Sequence, residues 1–388
     1  MKKILLPILI GIVSFQSFAQ DNQSSADNRV ITTGVPFVLI SADARSAGMG
    51  DIGVATSADA FSQQWNPSKY AFAISKQGVG VTYTPYLSQL VNDIFLGNLT
   101  YYNRLNETSA FAASFRYFSL GDIELRETID QEPLIESPNE LTFDVTYALR
   151  LSERFSMAVT GRYLNSNLRI RGINNDDASA AGSFAVDVSG YYQSEEVAFN
   201  DFDGRWRAGF NISNIGPTIK YDDLGQENYL PTNLGLGGGF DFIFDEYNKL
   251  GVNVELNKLL VPTRRDFDGD GDIDASDSQE YADIGFISGI FESFGDAPDG
   301  FSEELKEFTW ALGAEYWYQD SFAFRTGYFN ESEEKGSRKF LSLGAGFKYT
   351  AINIDISYLF STSRVRSPLE GTLRFGLTFN FGDEYDEY

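Results

Sequence analysis

From Ser75 onward, apolar and polar residues alternate along the chain in short runs. The last is the cleanest: Leu373, Phe375, Leu377, Phe379 and Phe381 are interleaved with Thr372, Arg374, Gly376, Thr378 and Asn380. A period of two sends one set to each face of a strand. Comparable runs fall at 75–84, 94–104, 110–120, 140–151, 155–170, 181–193, 205–216, 232–244, 248–260, 308–318, 321–331, 338–349, 351–361 and 371–381. They predict fourteen strands. The breaks alternate in length, short at 106–109, 152–154, 245–247, 319–320 and 350, long at 121–139, 171–180, 217–231, 261–307 and 362–370. An even strand number, with short turns at one end and long loops at the other, is the pattern of an outer-membrane barrel with its long loops outside. Only the break 194–204 is long on the short-turn side. The predicted fold is therefore all-β: a transmembrane antiparallel barrel of about fourteen strands. Tyr83, Tyr86, Tyr101, Tyr102, Tyr117, Trp206, Tyr316, Trp317, Tyr318, Tyr358 and Phe360 lie near strand ends, where a membrane-interface girdle would sit.

The beginning of the chain agrees with that compartment. Lys2 and Lys3 precede a run, Ile4 to Phe15, that is apolar apart from Pro7, Gly11 and Ser14, and Ser17-Phe18-Ala19 brings small residues. This predicts an export signal cleaved after Ala19. The run is short of the roughly 20 residues a helix needs to cross a bilayer. The expected organisation is a signal peptide at 1–19, an N-terminal segment and lumenal hatch at 20–74, the barrel at 75–381 and an acidic tail at 382–388. The barrel includes a long extracellular loop at 261–307.

Composition narrows the chemistry. Aromatics at 15% and 36 glycines suit girdles and tight turns, and a mean hydropathy of -0.23 is too polar for a bundle of membrane helices. The 388 residues include no Cys and no His. That removes thiol chemistry, the commonest general base and the commonest transition-metal ligand, and argues against an enzyme. The net charge of -25 becomes -27 when Lys2 and Lys3 leave with the signal, which disfavours nucleic acid as a partner.

Alternation also assigns charges to the lumen. With Phe143, Val145, Tyr147, Ile352, Ile354 and Ile356 towards lipid, Asp144 and Asp355 point inward. The same parity places Asp187, Glu255 and Glu315 inside, together with Arg116, Arg162, Arg207, Arg325 and Arg374. An ion-selective pore tends to carry an excess of one sign. Five acids against five arginines predict instead an occluded, salt-bridged lumen, because buried charges persist when they are paired; a hydrated channel with scattered charges is the alternative. The excess negative charge is then left to the loops and the tail.

Residues 41–73 are rich in Gly and Ala and lack alternation, as a plug threaded into a barrel would be. Gly48, Gly50 and Gly53 have no βαβ context and do not make a nucleotide fingerprint. Gly48-Met49-Gly50, Gly53-Val54-Ala55, Asp59-Ala60 and Asn66-Pro67 resemble the N-terminal hatch of the FadL-like barrels. Within that superfamily Ala42-Asp43-Ala44-Arg45-Ser46-Ala47-Gly48-Met49-Gly50, with Trp65-Asn66-Pro67-Ser68, is most similar to the PorV family, outer-membrane components of the type IX secretion system of Bacteroidetes; the PorQ proteins share much of it. The resemblance covers the whole chain in architecture, but its specific part is this N-terminal region. It implies a non-catalytic protein that associates with an SprA-like translocon barrel, binds the C-terminal sorting domains of cargo, and delivers cargo to a PorU-type attachment complex. The alternative is a FadL-like transporter of hydrophobic small molecules such as long-chain fatty acids, which would need a greasy path and a lateral exit.

The long loop adds two features. Asp266, Asp268, Asp270, Gly271, Asp272, Ile273, Asp274 and Asp277 match positions 1, 3, 5, 6, 7, 8, 9 and 12 of an EF-hand or dockerin-type calcium loop. Structural Ca2+ is the cofactor this predicts, with Asp277 giving a shorter arm than Glu at position 12; a merely solvated acidic loop is the plainer reading. Downstream, Phe286, Ile287, Ile290, Phe291 and Phe294 make an apolar stretch that would serve as a lid or as a partner surface. Outer-membrane lipids are the remaining expected partner.

Overall fold

The structure is a computed structural model and describes residues 29–88, 90–126, 132–168, 180–221, 227–270, 273–363 and 367–385. The signal peptide, the cleavage point after Ala19, Gly271, Asp272 and residues 386–388 of the tail lie outside them. Fourteen strands make the wall: β1 (Ser75–Pro85), β2 (Ile94–Arg104), β3 (Ser109–Leu120), β4 (Asn139–Ser152), β5 (Phe155–Asn167), β6 (Ala181–Gln193) and β7 (Asp203–Ile215). They continue with β8 (Asn233–Ile243), β9 (Asn248–Leu259), β10 (Thr309–Tyr318), β11 (Phe322–Asn330), β12 (Lys339–Tyr349), β13 (Ile352–Ser361) and β14 (Leu373–Glu384). Each is antiparallel to the next. β14 pairs with β1, Gly78 opposite Asn380 and Val81 opposite Leu377, so the sheet closes and leaves no edge.

The two faces of the wall explain the environment. Phe143, Tyr147, Phe324, Ile354 and Phe375 point outward and are exposed, whereas Asp144, Thr146, Arg325, Asp355 and Arg374 point inward and are buried. An exposed apolar belt of this extent is covered by lipid, not water. Among the described residues no helix is long and apolar enough to cross a membrane; the strands cross.

Two expectations need correction, and one irregularity is explained. β14 continues to Glu384, with Ser75 opposite Glu384 across a register shift, so Gly382, Asp383 and Glu384 belong to the wall and not to the tail. Gly382 supplies the left-handed backbone there, at φ 90°. Secondly, Tyr86, Tyr102 and Trp317 leave the expected girdle for the interior: Tyr102 stacks on Tyr70, Tyr86 packs edge-on to Phe118, and Trp317 lies under Arg325. Trp317 shares its parity with Glu315 and Tyr102 with Arg104, so the alternation itself decides against the lipid face. Finally, the break 194–204 contains Val197–Ala198 paired to the start of β7, which accounts for its length.

Inside the barrel, residues 35–73 form the hatch, built from α1 (Ala44–Ala47), α2 (Ser62–Trp65) and single 3-10 turns at Pro36–Leu39 and Pro67–Phe72. The loop 260–308 is partly helical, with α3 (Ala275–Asp283), α4 (Phe286–Glu292) and α5 (Phe301–Glu304).

Candidate functional site

The hatch is locked by its own caps. Asp43 precedes α1, accepts the Ser46 N–H at 2.7 Å through Oδ1, and takes the Trp65 indole N–H at 2.6 Å on Oδ2. Asn66 caps the turn that starts at Pro67, and its Nδ2 donates to Val54 O at 2.9 Å and to Gly190 O of β6 at 3.0 Å. Trp65 closes against Gly53, where an added Cβ would lie 2.1 Å from the indole. Met49 is buried beside Ile52, Ala311 and Phe329, and a Cβ on Gly327 of β11 would meet its carbonyl carbon at 1.9 Å. Gly50 turns the chain at φ 82°, and Gly48 lies against Gly344 of β12.

Charge fixes the hatch to the wall. Arg45 donates to Glu315 of β10 at 2.9 and 2.7 Å and to Asp59 at 2.7 Å, while Arg325 reaches the same Glu315 at 2.7 Å and Asp355 at 2.7 Å. Glu255 accepts the Gly53 and Val54 N–H groups at 2.9 and 2.8 Å. Arg116 donates to the carbonyls of Val38, Ile40 and Phe37 at 2.9, 2.8 and 3.3 Å. Arg374 pairs with Asp51 at 3.3 Å. Across the lumen, Arg162 bridges Asp144 at 2.6 Å and Asp187 at 2.9 Å, and Arg207 pairs with Asp241 at 2.6 Å. Each of the ten inward charges is thus engaged, four of them directly with hatch groups.

Alternation alone missed several partners. Asp241 has the inward parity, since Phe240, Phe242 and Phe244 form an outer aromatic cluster with Trp206, yet the glycine-rich β8 hides the pattern. Lys69 is buried in the hatch and donates to Gly53 O at 2.6 Å; no periodicity marks it. At the long-loop end Lys258 pairs with Glu304 and Glu307 at 2.7 and 2.5 Å, and Lys335 with Glu303 and Glu307 at 2.7 and 3.0 Å. Arg29 joins Glu303 at 3.0 Å, so the start of the described chain is tied to the long loop. Desolvation works against the Lys335 charge, but Glu303 and Glu307 hold its ammonium above the usual range. The Glu303 carboxyl, likewise opposed by desolvation, is held below its own by Lys335.

The hatch divides the lumen. A cavity of about 780 Å³ lies between it and the long loops, and one of about 220 Å³ lies towards the short turns.

In the long loop the structure gathers part of the acidic motif. Carboxylate oxygens of Asp266, Asp268 and Asp270 lie within 4.8 Å of one another. Asp274 and Asp277 do something else: Asp274 caps α3 through the Ser276 N–H at 2.7 Å, and the buried Asp277 accepts from Phe267 N at 2.6 Å and Asp274 N at 2.9 Å. Asp268 accepts a bond from Asp270 N–H that favours its ionised form, but burial and the neighbouring Asp270, Asp277 and Asp266 together hold its carboxyl above the usual value. Of the apolar stretch, Phe291, Ile287 and Phe294 are exposed, Phe291 at 74%, whereas Phe286 packs on the Tyr229–Tyr281 cluster and Ile290 is half-buried.

The sequence profile of the family described as "Type IX secretion system protein PorV" matches residues 23–266. The chain belongs to the PorV family. No curated protein sequence matches it. Among solved structures, PorV-family membership is accompanied by similarity to a TodX deletion mutant described as a monoaromatic hydrocarbon channel (TM-score 0.49, 10% identity, 87% of this chain and 98% of that one). CymD, also a monoaromatic hydrocarbon channel, gives 0.47 at 13% identity over 90% and 99%. A FadL homologue from Pseudomonas aeruginosa gives 0.43 at 10% over 89% and 99%. This PorV-family chain is an outer-membrane β-barrel of fourteen strands.

Proposed function

We propose that this barrel is a non-catalytic carrier of secreted proteins. It binds the C-terminal sorting domains of cargo, associates with an SprA-like translocon, and hands cargo to a PorU-type attachment complex at the cell surface. The observation that carries the reading is the hatch, clamped to the wall by Arg45, Glu315 and Glu255: with the lumen plugged at mid-height, recognition falls to the long-loop end. Family membership supplies the pathway. The alternative, a transporter of hydrophobic small molecules, draws on the 780 Å³ cavity, but the polar hatch contacts beneath it offer no greasy continuation.

The long loop is the proposed presenting element. Asp266, Asp268 and Asp270 supply the hard oxygen donors that Ca2+ prefers, and the helix α3 begins at the tenth position of the motif, directly after its ninth-position cap. Bound Ca2+ would neutralise the three carboxylates and stiffen the loop that carries Ile287, Phe291 and Phe294. The test is affinity purification of the protein from native outer membranes followed by mass spectrometry. Recovery of a very large partner barrel and of secreted proteins carrying sorting domains supports the carrier; bound fatty acid or hydrocarbon without those proteins sinks it.

A further inference from the structure

The larger cavity has two unlike walls. One is apolar and comes from the hatch and the β1–β3 side: Phe37, Val38 and Ile40 beside Tyr86 and Phe118. The other is lined by side-chain amides from β7, β8 and β9. Asn233 donates to Asn257 at 3.0 Å and Asn257 to Glu255 at 3.0 Å, a relay that ends on the hatch through Glu255. Asn211 stands beside them, only 5% exposed, and its Oδ1 accepts no hydrogen bond among the described residues. A buried amide oxygen without a donor is costly and marks a place where a ligand N–H is wanted.

Charge completes the description. Arg116 lines the same cavity, is 3% exposed, and forms no ion pair among the described residues; it donates to the neutral carbonyls of Phe37, Val38 and Ile40. Arg162, by contrast, has two carboxylates. A buried guanidinium that makes no ion pair and whose Nε has no hydrogen-bond partner among the described residues favours an acidic group on whatever enters. The ligand chemistry is thus a carboxylate, adjacent N–H donors and apolar side groups on one side. An acyl chain provides the first and last, but it would strip water from the amide wall and return nothing. A polypeptide end provides all three, because its main chain carries donors and acceptors while alternate side chains turn to the opposite wall. The volume of about 780 Å³ lies within the ~300–1,000 Å³ of ordinary ligand sites.

We propose that this cavity receives the C-terminal end of an exported polypeptide, with its α-carboxylate at Arg116 and its last peptide groups on Asn211, Asn233 and Asn257. The inference rests on the carrier reading above and adds where the end of the cargo is held. It is tested with the full barrel in detergent and a fluorescent peptide of the last eight residues of a secreted cargo, in free-acid and C-terminally amidated forms, with palmitate as a competitor. The free acid binds about tenfold or more tightly than the amide, the factor expected for loss of one charge-assisted contact, and Arg116→Gln erases that preference. Since Arg116 also holds the hatch, a second measurement does not depend on it. The chain has no Cys, so Asn233→Cys gives a single thiol that forms a disulfide by exchange with a peptide carrying a 2-pyridyl-disulfide-activated Cys near its C-terminus, releasing pyridinethione, and none with a peptide carrying the activated Cys at its N-terminus. Equal binding of acid and amide overturns the proposal, as does equal trapping of both peptides, or binding of palmitate where neither peptide binds. If cargo still co-purifies in those cases, the carrier reading survives and only the lumenal site is lost; if no cargo co-purifies, the carrier reading itself has failed.

Discussion

The hatch and the long loop both carry aspartates among glycines, but they resolve their charge in opposite ways. In the hatch each carboxylate finds a cation or a row of N–H groups within the barrel: Asp59 and Glu315 share Arg45, Asp51 meets Arg374, and Asp43 caps α1. In the long loop, Asp266, Asp268 and Asp270 converge with one another. The hatch side chains are buried against the wall, so unpaired charge there is expensive. At the mouth, water and ions screen the repulsion, and convergence is tolerated. The comparison teaches that the inner acids hold the architecture by pairing with cations and N–H groups, while Asp266, Asp268 and Asp270 gather with one another at the mouth.

The largest effect is expected from the inner set. Arg45→Met leaves Glu315 and Asp59 short of a shared partner, and breaking a buried ion pair of this kind costs ~3–5 kcal/mol. The measurement is heat or urea unfolding in detergent followed by gel mobility; a barrel of unchanged stability would show that the hatch is not held by this clamp. Next is the rim. Lys335 is held above its usual 10.5 and Glu303 below its usual 4.5, so their pairing contributes fully between those values. It fades as pH falls through the folded value of Glu303, below 4.5, or rises through that of Lys335, above 10.5. Proteolysis of the segment 293–307 should therefore be flat across neutral pH and accelerate at both extremes, and acceleration at pH 6–8 would contradict the pairing.

In the outer set the effects are smaller. Asp277→Ala removes the acceptor of the N-cap Asp274 N–H and of the Phe267 N–H in the preceding loop, and should cost ~1 kcal/mol locally, read as faster amide exchange over 275–283 with the barrel unchanged. Ca2+ should protect the 261–283 stretch from protease with a Kd of ~10⁻⁴–10⁻³ M, and Asp268→Asn with Asp270→Asn should abolish that protection. Protection by Ca2+ that persists in the double variant would remove the motif from the account. Because the Asp268 carboxyl is held above its usual value, protonation competes with Ca2+ from a higher pH than for an ordinary aspartate. The smallest change in stability, within ~0.5 kcal/mol, is expected for Phe291→Ser, whose side chain is solvent-facing. If this residue belongs to a partner surface, co-purified partners fall away while the barrel is unaffected. Destabilisation in its place identifies a lid.

Much of the wall was legible because a barrel turns a period of two into inside and outside without exception for charge. Arg325 opposite Glu315, and Asp355 two strands beyond Arg325, follow from parity plus register. The girdle was read less well, since Tyr102 and Trp317 were assigned by position along the strand when their parity places them inside. Asp277 shows another limit. As a twelfth motif position it reads as a metal ligand, and only the fold shows that one oxygen also accepts the N-cap Asp274 N–H, as a helix start requires, and the other the Phe267 N–H of the loop.

The amino-acid sequence by itself determined the membrane class, the strand count, the inward set of charges and the presence of a plug, because each depends on local alternation or composition. Only the tertiary structure decided who pairs with whom. Arg45 and Glu315 are 270 residues apart, Arg374 and Asp51 are 323, and the amide wall facing Arg116 is assembled from three strands. Such pairings arise when the sheet closes and the hatch seats within it, and no periodicity within a single strand records them.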